Sequence, residues 1–287
     1  MILVTGATGN VGGALVARLA AAGTAFRALV RKPDDVARLA RDGVAAVIGD
    51  LGDQPSLDRA LVGVRAVFAL TAPSPALPQL MGNLVAASKR AEVARLVLQS
   101  SIGAAPSAAG SFLRWNGLAE RTLQESTVPH VILRPNGFMQ NFTAYYAQAV
   151  VTTGKIQGYA GTEQVSVIDV RDIADVAAAT LEGAASDGDV LDLTGPLPYA
   201  LAEQCAMLST RLGRVVPFVP VTEAQAYRAM TERGTPPAIA HAVIGLQHAY
   251  KTGLGALVTG TVERITGHPA RSFGDYLDEN LAAFRTR

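Results

Sequence analysis

The amino-acid sequence predicts an α/β fold in which a doubly wound parallel sheet carries helices on both faces. Apolar segments of strand length alternate with segments of helical periodicity through the first half of the chain. The first apolar segment leads into a G-x-x-G-x-x-G pattern, at Gly6, Gly9 and Gly12. Strands that alternate with helices form parallel βαβ units, which bind ligands at the carboxyl ends of their strands.

The elements follow one another in regular order up to residue 135. The predicted strands cover residues 1–4, 26–30, 44–48, 66–70, 96–99 and 131–133, after which Pro135 is expected to end the sheet. The predicted helices cover residues 14–21, 36–42, 56–62, 77–90 and 115–126. A helix that opens at residues 169–173, with Asp172 as its N-terminal charge, precedes a strand at residues 190–193.

The remaining sequence differs from this regular pattern. Residues 136–164 have no clear periodicity, and helices are predicted at residues 200–212, 223–231, 237–250 and 273–284. We therefore expect two units. Residues 1–135 and 165–195 would form a dinucleotide-binding domain, while residues 136–164 and 196–287 would form a smaller, mostly helical substrate lobe over it.

The glycine pattern predicts a phosphate-binding turn. Gly6 permits a tight turn, Gly9 lets backbone N–H groups approach a pyrophosphate, and Gly12 lets the following helix pack close to the strand. The alternative is a glycine-rich turn without a ligand. The position of the pattern between a strand and a helix favours the phosphate site.

Composition excludes several classes of partner. The chain has 287 residues, 49% of them hydrophobic, and a formal charge of +1, which gives no electrostatic basis for binding nucleic acid or an anionic membrane. No apolar run reaches the roughly 18 residues of a transmembrane helix, and no signal peptide is recognised, so a cytoplasmic location is expected. Cys205, the only cysteine, is expected to be a small buried hydrophobic residue.

Two cations follow the second predicted strand. NAD sites usually place Asp or Glu here to hold the ribose hydroxyls, whereas this chain has Arg31 and Lys32, which suit a 2′-phosphate. The sequence therefore predicts a preference for NADP(H), with NAD(H) as a second cofactor that the site accepts. The alternative is that both are solvated loop charges beside Asp34 and Asp35.

Residues after other strands complete the predicted cofactor site. Asp50, which precedes Leu51, could accept a hydrogen bond from the adenine amino group or cap the next helix. Thr71 and Ala72 are small enough for the chain to pass close to a bound ribose and pyrophosphate.

An apolar cluster follows the last of these strands. It could line a pocket for a flat substrate near the nicotinamide, or half of it could simply be core. The candidates are Phe138, Met139, Phe142, Tyr145 and Tyr146.

Several motifs resemble those of one known family. The chain resembles the atypical short-chain dehydrogenases/reductases, and more narrowly the NmrA-like NAD(P)-binding proteins and their quinone-reductase relatives, whose fold is the Rossmann fold. The matching segments are 4–12, 29–31, 49–51, 100–104, Glu120 with Leu123, 132–141, 169–174 and 266–273.

The resemblance implies roles for individual residues. Thr8, Asn10 and Val11 would contact the cofactor phosphates and Arg31 the 2′-phosphate. Thr71 and Ala72 would border the ribose, and Ser100 and Ser101 would face the nicotinamide.

The catalytic pair of short-chain dehydrogenases is missing from the sequence. None of Lys32, Lys89, Lys155 and Lys251 lies four residues after a tyrosine, so no Tyr-x-x-x-Lys pair exists. The matching helix carries Asn116 and Glu120, one turn apart. Asn116 can orient a carbonyl or a water, and Glu120 could supply a proton or be structural. Tyr145 or Tyr146 could donate a hydrogen bond.

The leading hypothesis is an NADPH-dependent oxidoreductase that reduces a small apolar, quinone- or enone-like acceptor, for which water can supply the proton. The alternative is a redox sensor that binds NADP(H) without turnover and acts through a protein partner. An isomerase or lyase that uses the cofactor transiently stays open. The four histidines, His130, His241, His248 and His268, have no metal-ligand spacing with carboxylates, so no metal is expected. A homodimer is compatible with the sequence.

Overall fold

Parallel strands form the centre of the molecule. The computed structural model describes residues 1–159 and 161–285. Within them, seven strands pair in parallel in the order β3-β2-β1-β4-β5-β6-β8, and β7 pairs with β9 in a separate parallel ribbon. The strands are β1 (Ile2–Val4), β2 (Phe26–Val30), β3 (Ala46–Ile48), β4 (Ala66–Ala69), β5 (Arg95–Gln99), β6 (His130–Pro135), β7 (Ile156–Gly158), β8 (Val190–Leu193) and β9 (Phe218–Pro220).

Helices cover both faces of the large sheet. They are α1 (Asn10–Ala21), α2 (Pro33–Arg41), α3 (Gln54–Ala60), α4 (Leu77–Arg90), α5 (Ser111–Gln124), α6 (Met139–Thr153), α7 (Val170–Leu181), α8 (Leu201–Leu212), α9 (Glu223–Glu232), α10 (Pro237–Lys251), α11 (Thr261–Thr266) and α12 (Phe273–Asn280). Short 3-10 turns occupy Leu254–Ala256 and Leu281–Phe284. None of the helices in the described ranges has the length and apolar character needed to cross a bilayer.

The two faces have separate apolar cores. Buried side chains of α1 and α7 pack on one face, and those of α3, α4 and α5 pack on the other. The strand order reverses between β1 and β4, which are neighbours in the sheet. Ligands of doubly wound sheets bind at such a switch point, outside the carboxyl ends of the strands. The predicted fold class is therefore confirmed, and it directs attention to the residues after β1 and β4.

Element boundaries agree best where the periodicity is strong. Helix α4 and strand β2 match the prediction to the residue. Strand β6 ends at Pro135 as expected, although it is longer than predicted and Pro135 is itself paired with Leu193 as its last residue. Proline needs no N–H there, since its carbonyl accepts a hydrogen bond from the Ile102 N–H at 3.1 Å.

The segment 136–164 is more regular than its sequence indicates. It contains the 15-residue helix α6 as well as strand β7. Helix α6 begins at Phe138 without a side-chain cap, and it ends at Gly154 in the left-handed conformation at φ +71°. The sequence pattern does not predict this helix, because it has no capping residue and contains several aromatic residues. Strand β9 and helix α11 are also absent from the prediction.

A third apolar core lies beside the sheet. Side chains of α6, β7, α8 and α12 form it, together with the turn at Leu281–Phe284. Cys205 belongs to this core, where burial raises the pKa of its thiol to about 12. Other segments after residue 196 pack on the sheet instead, because Ala242 joins the α5 face and Val262 the α1 face. The division into two units at the predicted boundaries stays a prediction.

A buried carboxylate connects α6 to α7. Asp169 caps α7 and accepts hydrogen bonds from the Arg171 backbone N–H at 2.9 Å, the Arg171 guanidinium at 2.7 Å and the Gln140 amide at 3.0 Å. The Gln140 amide oxygen accepts in turn from the Val170 N–H at 3.1 Å. Burial acts to raise the pKa of Asp169, but the hydrogen bonds from Arg171 outweigh it and the pKa lies below its usual value.

This network predicts a large stability loss in Asp169→Ala. The change removes a helix cap, leaves the Gln140 amide nitrogen without its acceptor and leaves Arg171 with Glu279 alone, so the free energy of unfolding should fall by about 2–4 kcal/mol. Urea denaturation measures the loss. Asp187→Ala is the matched control, since Asp187 is 54% exposed in its ion pair with Arg95. This variant should lose less than about 1 kcal/mol of unfolding free energy. Equal losses in the two variants would show that the Asp169 network stabilises the protein no more than an exposed ion pair does.

Candidate active site at the carboxyl edge of the sheet

The backbone of the glycine turn after β1 lies very close to the residues around it. Gly6 has φ +64°, and a Cβ atom on it would lie 2.9 Å from Leu70 Cγ. A Cβ atom on Gly12 would lie 2.1 Å from the Gly6 carbonyl oxygen, closer than any side chain permits. Thr5 fixes the neighbouring strand end, because its hydroxyl donates to the Leu70 carbonyl and accepts from the Leu70 N–H, both at 2.7 Å. Helix α1 can therefore begin directly against the turn.

The N-terminus of α1 fits a pyrophosphate. The Gly9 N–H donates to the Gly6 carbonyl at 3.0 Å and the Gly13 N–H to the Gly9 carbonyl at 2.8 Å, whereas the three N–H groups between them have no backbone acceptor among the described residues. Gly9 is extended, with no side-chain cap on the helix, and Thr8, Gly9 and Asn10 are exposed. Unpaired N–H groups and the positive end of the helix dipole together attract phosphate oxygens.

Two exposed cations stand at the carboxyl end of β2. The side chains of Arg31 and Lys32 form no ion pair or hydrogen bond within the described residues. The nearby Asp35 is paired with Arg38 at 3.2 Å instead. Both cations can therefore reach a bound phosphate without first breaking a contact.

The structure separates the two interpretations of Asp50. Its carboxylate accepts from the Gly52 N–H at 2.7 Å, whereas the residue at the N-cap of α3 is Asp53. Asp50 is therefore not the cap, and its exposed carboxylate stays a predicted adenine acceptor. The Leu51 carbonyl accepts from the Asn83 amide at 2.8 Å, which ties this loop to α4. After β4, Thr71 is half-buried and Ala72 exposed.

A buried ion pair lies under the predicted nicotinamide position. The Arg134 guanidinium binds both carboxylate oxygens of Glu120, with Nε at 2.9 Å, and Ser100 donates its hydroxyl to the same carboxylate. The hydrogen bond to Glu120 raises the pKa of Arg134. These contacts favour the structural role of Glu120 over its expected use as a proton donor. The sequence indicated Arg134 only as part of a motif, because its pairing with Glu120 depends on how α5 packs against β6.

A second carboxylate faces the same arginine. Asp192 of β8 is in register with Arg134 of β6, and burial raises the pKa of Asp192. Its Oδ1 atom is buried without a hydrogen-bond partner among the described residues.

Asn116 lies on α5 one turn before Glu120. Its amide nitrogen donates to the Phe112 carbonyl at 2.9 Å, while its amide oxygen accepts no hydrogen bond within the described residues. The side chain is 5% exposed. Its oxygen can thus accept a hydrogen bond from a ligand or a water, and the side chain carries no acidic proton.

The aromatic candidates divide between core and surface. Met139 and Phe142 are buried in the third core, where Phe142 packs edge-on against Phe273 at 5.2 Å, so neither lines an open pocket. Burial raises the pKa of Tyr146 to about 12. Tyr145 is 61% exposed, and Phe138 packs at the edge of the α1-face core. The proposed substrate wall is therefore corrected for Met139 and Phe142, which serve the packing of α6.

One histidine meets two carboxylates, which sequence spacing did not indicate. Ligand atoms of Asp172, Asp175 and His268 lie within 4.8 Å of one another. However, Arg271 binds both Asp172 and Asp175, and Arg18 binds Asp175 at 3.0 Å. These guanidinium groups supply the positive charge that a metal ion would bring. The cluster fixes α7 to α1 and to the segment before α12.

Comparisons with known proteins agree with this geometry. Residues 6–184 match the model of an NAD(P)H-binding family. The chain is 38% identical to an NAD(P)H azoreductase of Xenophilus azovorans, with 99% of each chain covered. It is 37% identical to a (4-alkanoyl-5-oxo-2,5-dihydrofuran-3-yl)methyl phosphate reductase of Streptomyces griseus, again with 99% of each covered.

Solved structures share the fold over the full length. The NADPH-dependent quinone oxidoreductase QOR2 of Escherichia coli superposes with a TM-score of 0.86 at 25% identity, over 98% of this chain and 100% of that chain. The fold and the glycine turn define a dinucleotide-dependent oxidoreductase. The chain belongs to the NAD(P)H-binding family, and its similarity to named reductases makes it an NAD(P)H-dependent reductase of a small substrate.

The close contact in the turn predicts that Gly12→Ala disrupts cofactor binding. The added methyl group must displace either the Gly6 carbonyl or the start of α1, so NADPH affinity in calorimetric titration should fall at least about tenfold, ~1.4 kcal/mol. Gly13→Ala is the matched control, because its Cβ would lie 3.7 Å from the Ala7 carbonyl oxygen, an ordinary contact. An unchanged affinity in Gly12→Ala would show that the turn is not the phosphate site.

Proposed function

We propose that this protein is an NADPH-dependent reductase of small, conjugated acceptors. The observation that carries the proposal is the full-length similarity to two reductases with related substrates. An azo compound and an oxo-dihydrofuran with an acyl group both contain a double bond that accepts a hydride, and so does the quinone of a third relative, quinone oxidoreductase 2 of Escherichia coli. In each case the negative charge is delocalised after hydride addition.

The residues of the sheet edge support the assignment of the cofactor. The N–H groups at the start of α1 would bind the pyrophosphate, with Thr8, Asn10 and Val11 around it. Arg31 and Lys32 would bind the 2′-phosphate, which favours NADPH over NADH. When bound, this cofactor supplies a hydride. Asp50 with Leu51, Thr71 with Ala72, and Ser100 with Ser101 would border it from adenine to nicotinamide.

The reacting end of the site supports a conjugated acceptor. Asn116 has no acidic proton and Glu120 is held by Arg134, so α5 provides orientation rather than acid catalysis. Asn116 would orient the acceptor through its amide oxygen or a bound water. An isolated ketone needs a proton as the hydride arrives, whereas a quinone, enone or azo group can take it later.

This proposal predicts selective turnover. NADPH oxidation should be observed with a quinone, an azo dye and an unsaturated lactone, and it should be absent with the saturated lactone, because only the conjugated acceptors stabilise the added charge. Steady-state absorbance of NADPH measures it. Tight NADPH binding without turnover of any acceptor would favour the sensor hypothesis instead.

The cofactor preference predicts an asymmetric effect of Arg31→Ala. NADPH affinity should fall at least about tenfold, since a hydrogen bond to a charged group contributes roughly 1.5–3 kcal/mol, while NADH affinity should stay within about twofold. Calorimetric titration with both cofactors tests this. Arg41→Ala, at the far end of α2, makes the same change in net charge and should alter neither affinity. A parallel loss of both affinities in Arg31→Ala would contradict 2′-phosphate recognition.

A further inference from the structure

A tyrosine and a lysine meet in the fold although the sequence has no Tyr-x-x-x-Lys pair. Tyr159 directly follows β7, and Lys251 is the last residue of α10. The Lys251 ammonium donates to the Tyr159 hydroxyl at 3.1 Å and lies 4.3 Å from the centroid of its ring. An ammonium at this distance stabilises the negative charge that a phenol acquires when it gives up its proton.

Two more groups converge on the same hydroxyl. The Tyr159 hydroxyl donates to Glu223 Oε2 at 2.9 Å and lies 3.0 Å from His248 Nε2. His248 Nε2 is itself 2.9 Å from Glu223 Oε2. Tyr159 is half-buried, whereas Glu223, His248 and Lys251 are exposed. The phenol is thus connected to solvent through an imidazole that can carry a proton.

The cluster stands close to the ligand-binding edge of the sheet. Leu254, three residues after Lys251, touches the loop that follows β5, since a Cβ atom on Gly103 would lie 2.5 Å from Leu254 Cδ2. Tyr250, the neighbour of Lys251, places its hydroxyl 3.4 Å from a Cβ built on Gly137, directly after β6.

Helix α10 also touches the start of α5. A Cβ atom on Gly110, the N-cap residue of α5, would lie 3.2 Å from the carbonyl oxygen of Gly245. The end of α10 is therefore anchored beside the carboxyl ends of β5 and β6, where the nicotinamide is expected.

We propose that Tyr159 donates the proton in the reduction, a role that rests on the proposed function. The hydride from NADPH forms a bond to one end of the conjugated acceptor and brings both electrons, and the cofactor leaves as NADP⁺. The proton from the Tyr159 oxygen forms the new O–H or N–H bond at the other end. Lys251 stabilises the phenolate, which regains a proton from solvent through His248.

The charges around Tyr159 are compatible with this role. The hydrogen bond with Tyr159 raises the pKa of Lys251 and lowers that of Glu223, with His248 adding to the second effect. Lys251 and Glu223 therefore stay ionised through the neutral range. Glu163 is the remaining charged group that acts on Lys251.

Tyr159→Phe tests the proposal in the full-length protein. For the conjugated acceptors of the turnover assay, kcat should fall by about 10²-fold, the usual contribution of a general acid, with an unchanged affinity for NADPH. Tyr276→Phe is the matched control, since it also removes a hydrogen-bonded phenol, but one that lies in the third apolar core with its hydroxyl 2.6 Å from that of Thr143, and it should keep the original rate.

A second measurement does not depend on turnover. Phenolate absorbance is titrated in the unmodified protein and in Tyr159→Phe, and their difference isolates Tyr159. In Lys251→Met this titration should move up by about one pH unit or more, and in Glu223→Gln it should move down, because the cation stabilises the phenolate and the carboxylate opposes it.

The outcomes separate this inference from the proposed function. If the unmodified protein reduces none of the acceptors, both are overturned. If it reduces them and Tyr159→Phe does so at the same rate, the proton-donor role alone is overturned. A titration unmoved in Lys251→Met would show that the ammonium does not act on the phenol, and it would equally contradict the role.

Discussion

The contact between the start of α1 and the turn before it is the constraint on which the site depends. The Gly12 backbone approaches the Gly6 carbonyl so closely that no side chain fits between them. This approach places the first turn of the helix directly beyond the end of β1, with its N–H groups directed away from the sheet. The two hydrogen bonds between Thr5 and Leu70 fix the end of β4 beside that turn. Phosphate binding is therefore a consequence of backbone packing more than of particular side chains.

Polar side chains after β6 hold the lobe on the sheet. The Asn136 amide donates to the Ser166 hydroxyl and to the Gly255 carbonyl, both at 2.8 Å, and its oxygen accepts from the Gly137 N–H at 2.9 Å. Asp169 likewise connects α6 to α7, because its carboxylate accepts a hydrogen bond from the Gln140 amide. Buried polar groups of this kind are costly unless every partner is in place, so they specify one arrangement of lobe and sheet. That arrangement determines which lobe residues reach the carboxyl edge.

The local parts of this architecture could be predicted from the sequence, and the distant contacts could not. Apolar periodicity located the sheet and α4, and the glycine spacing located the turn, because both are properties of neighbouring residues. The sequence did not predict helix α6, since this helix lacks a side-chain cap. Its Met139 and Phe142 pack in the third apolar core, whereas the sequence analysis considered them as lining for a pocket. Pairings such as Glu120 with Arg134 depend on how a helix packs against the sheet, and no spacing within the chain contains that information.

The same limit applies to the search for a proton donor. A Tyr-x-x-x-Lys pair is visible in a sequence because one helix carries both residues, whereas Tyr159 and Lys251 are brought together by the packing of the segment after β7 against α10. The chemical requirement, a cation beside a phenol, concerns distance and not sequence separation. The reduction needs a hydride and a proton at opposite ends of one conjugated group. If the sheet edge binds the cofactor and Tyr159 supplies the proton, the acceptor must lie between the glycine turn side of the sheet and the end of α10.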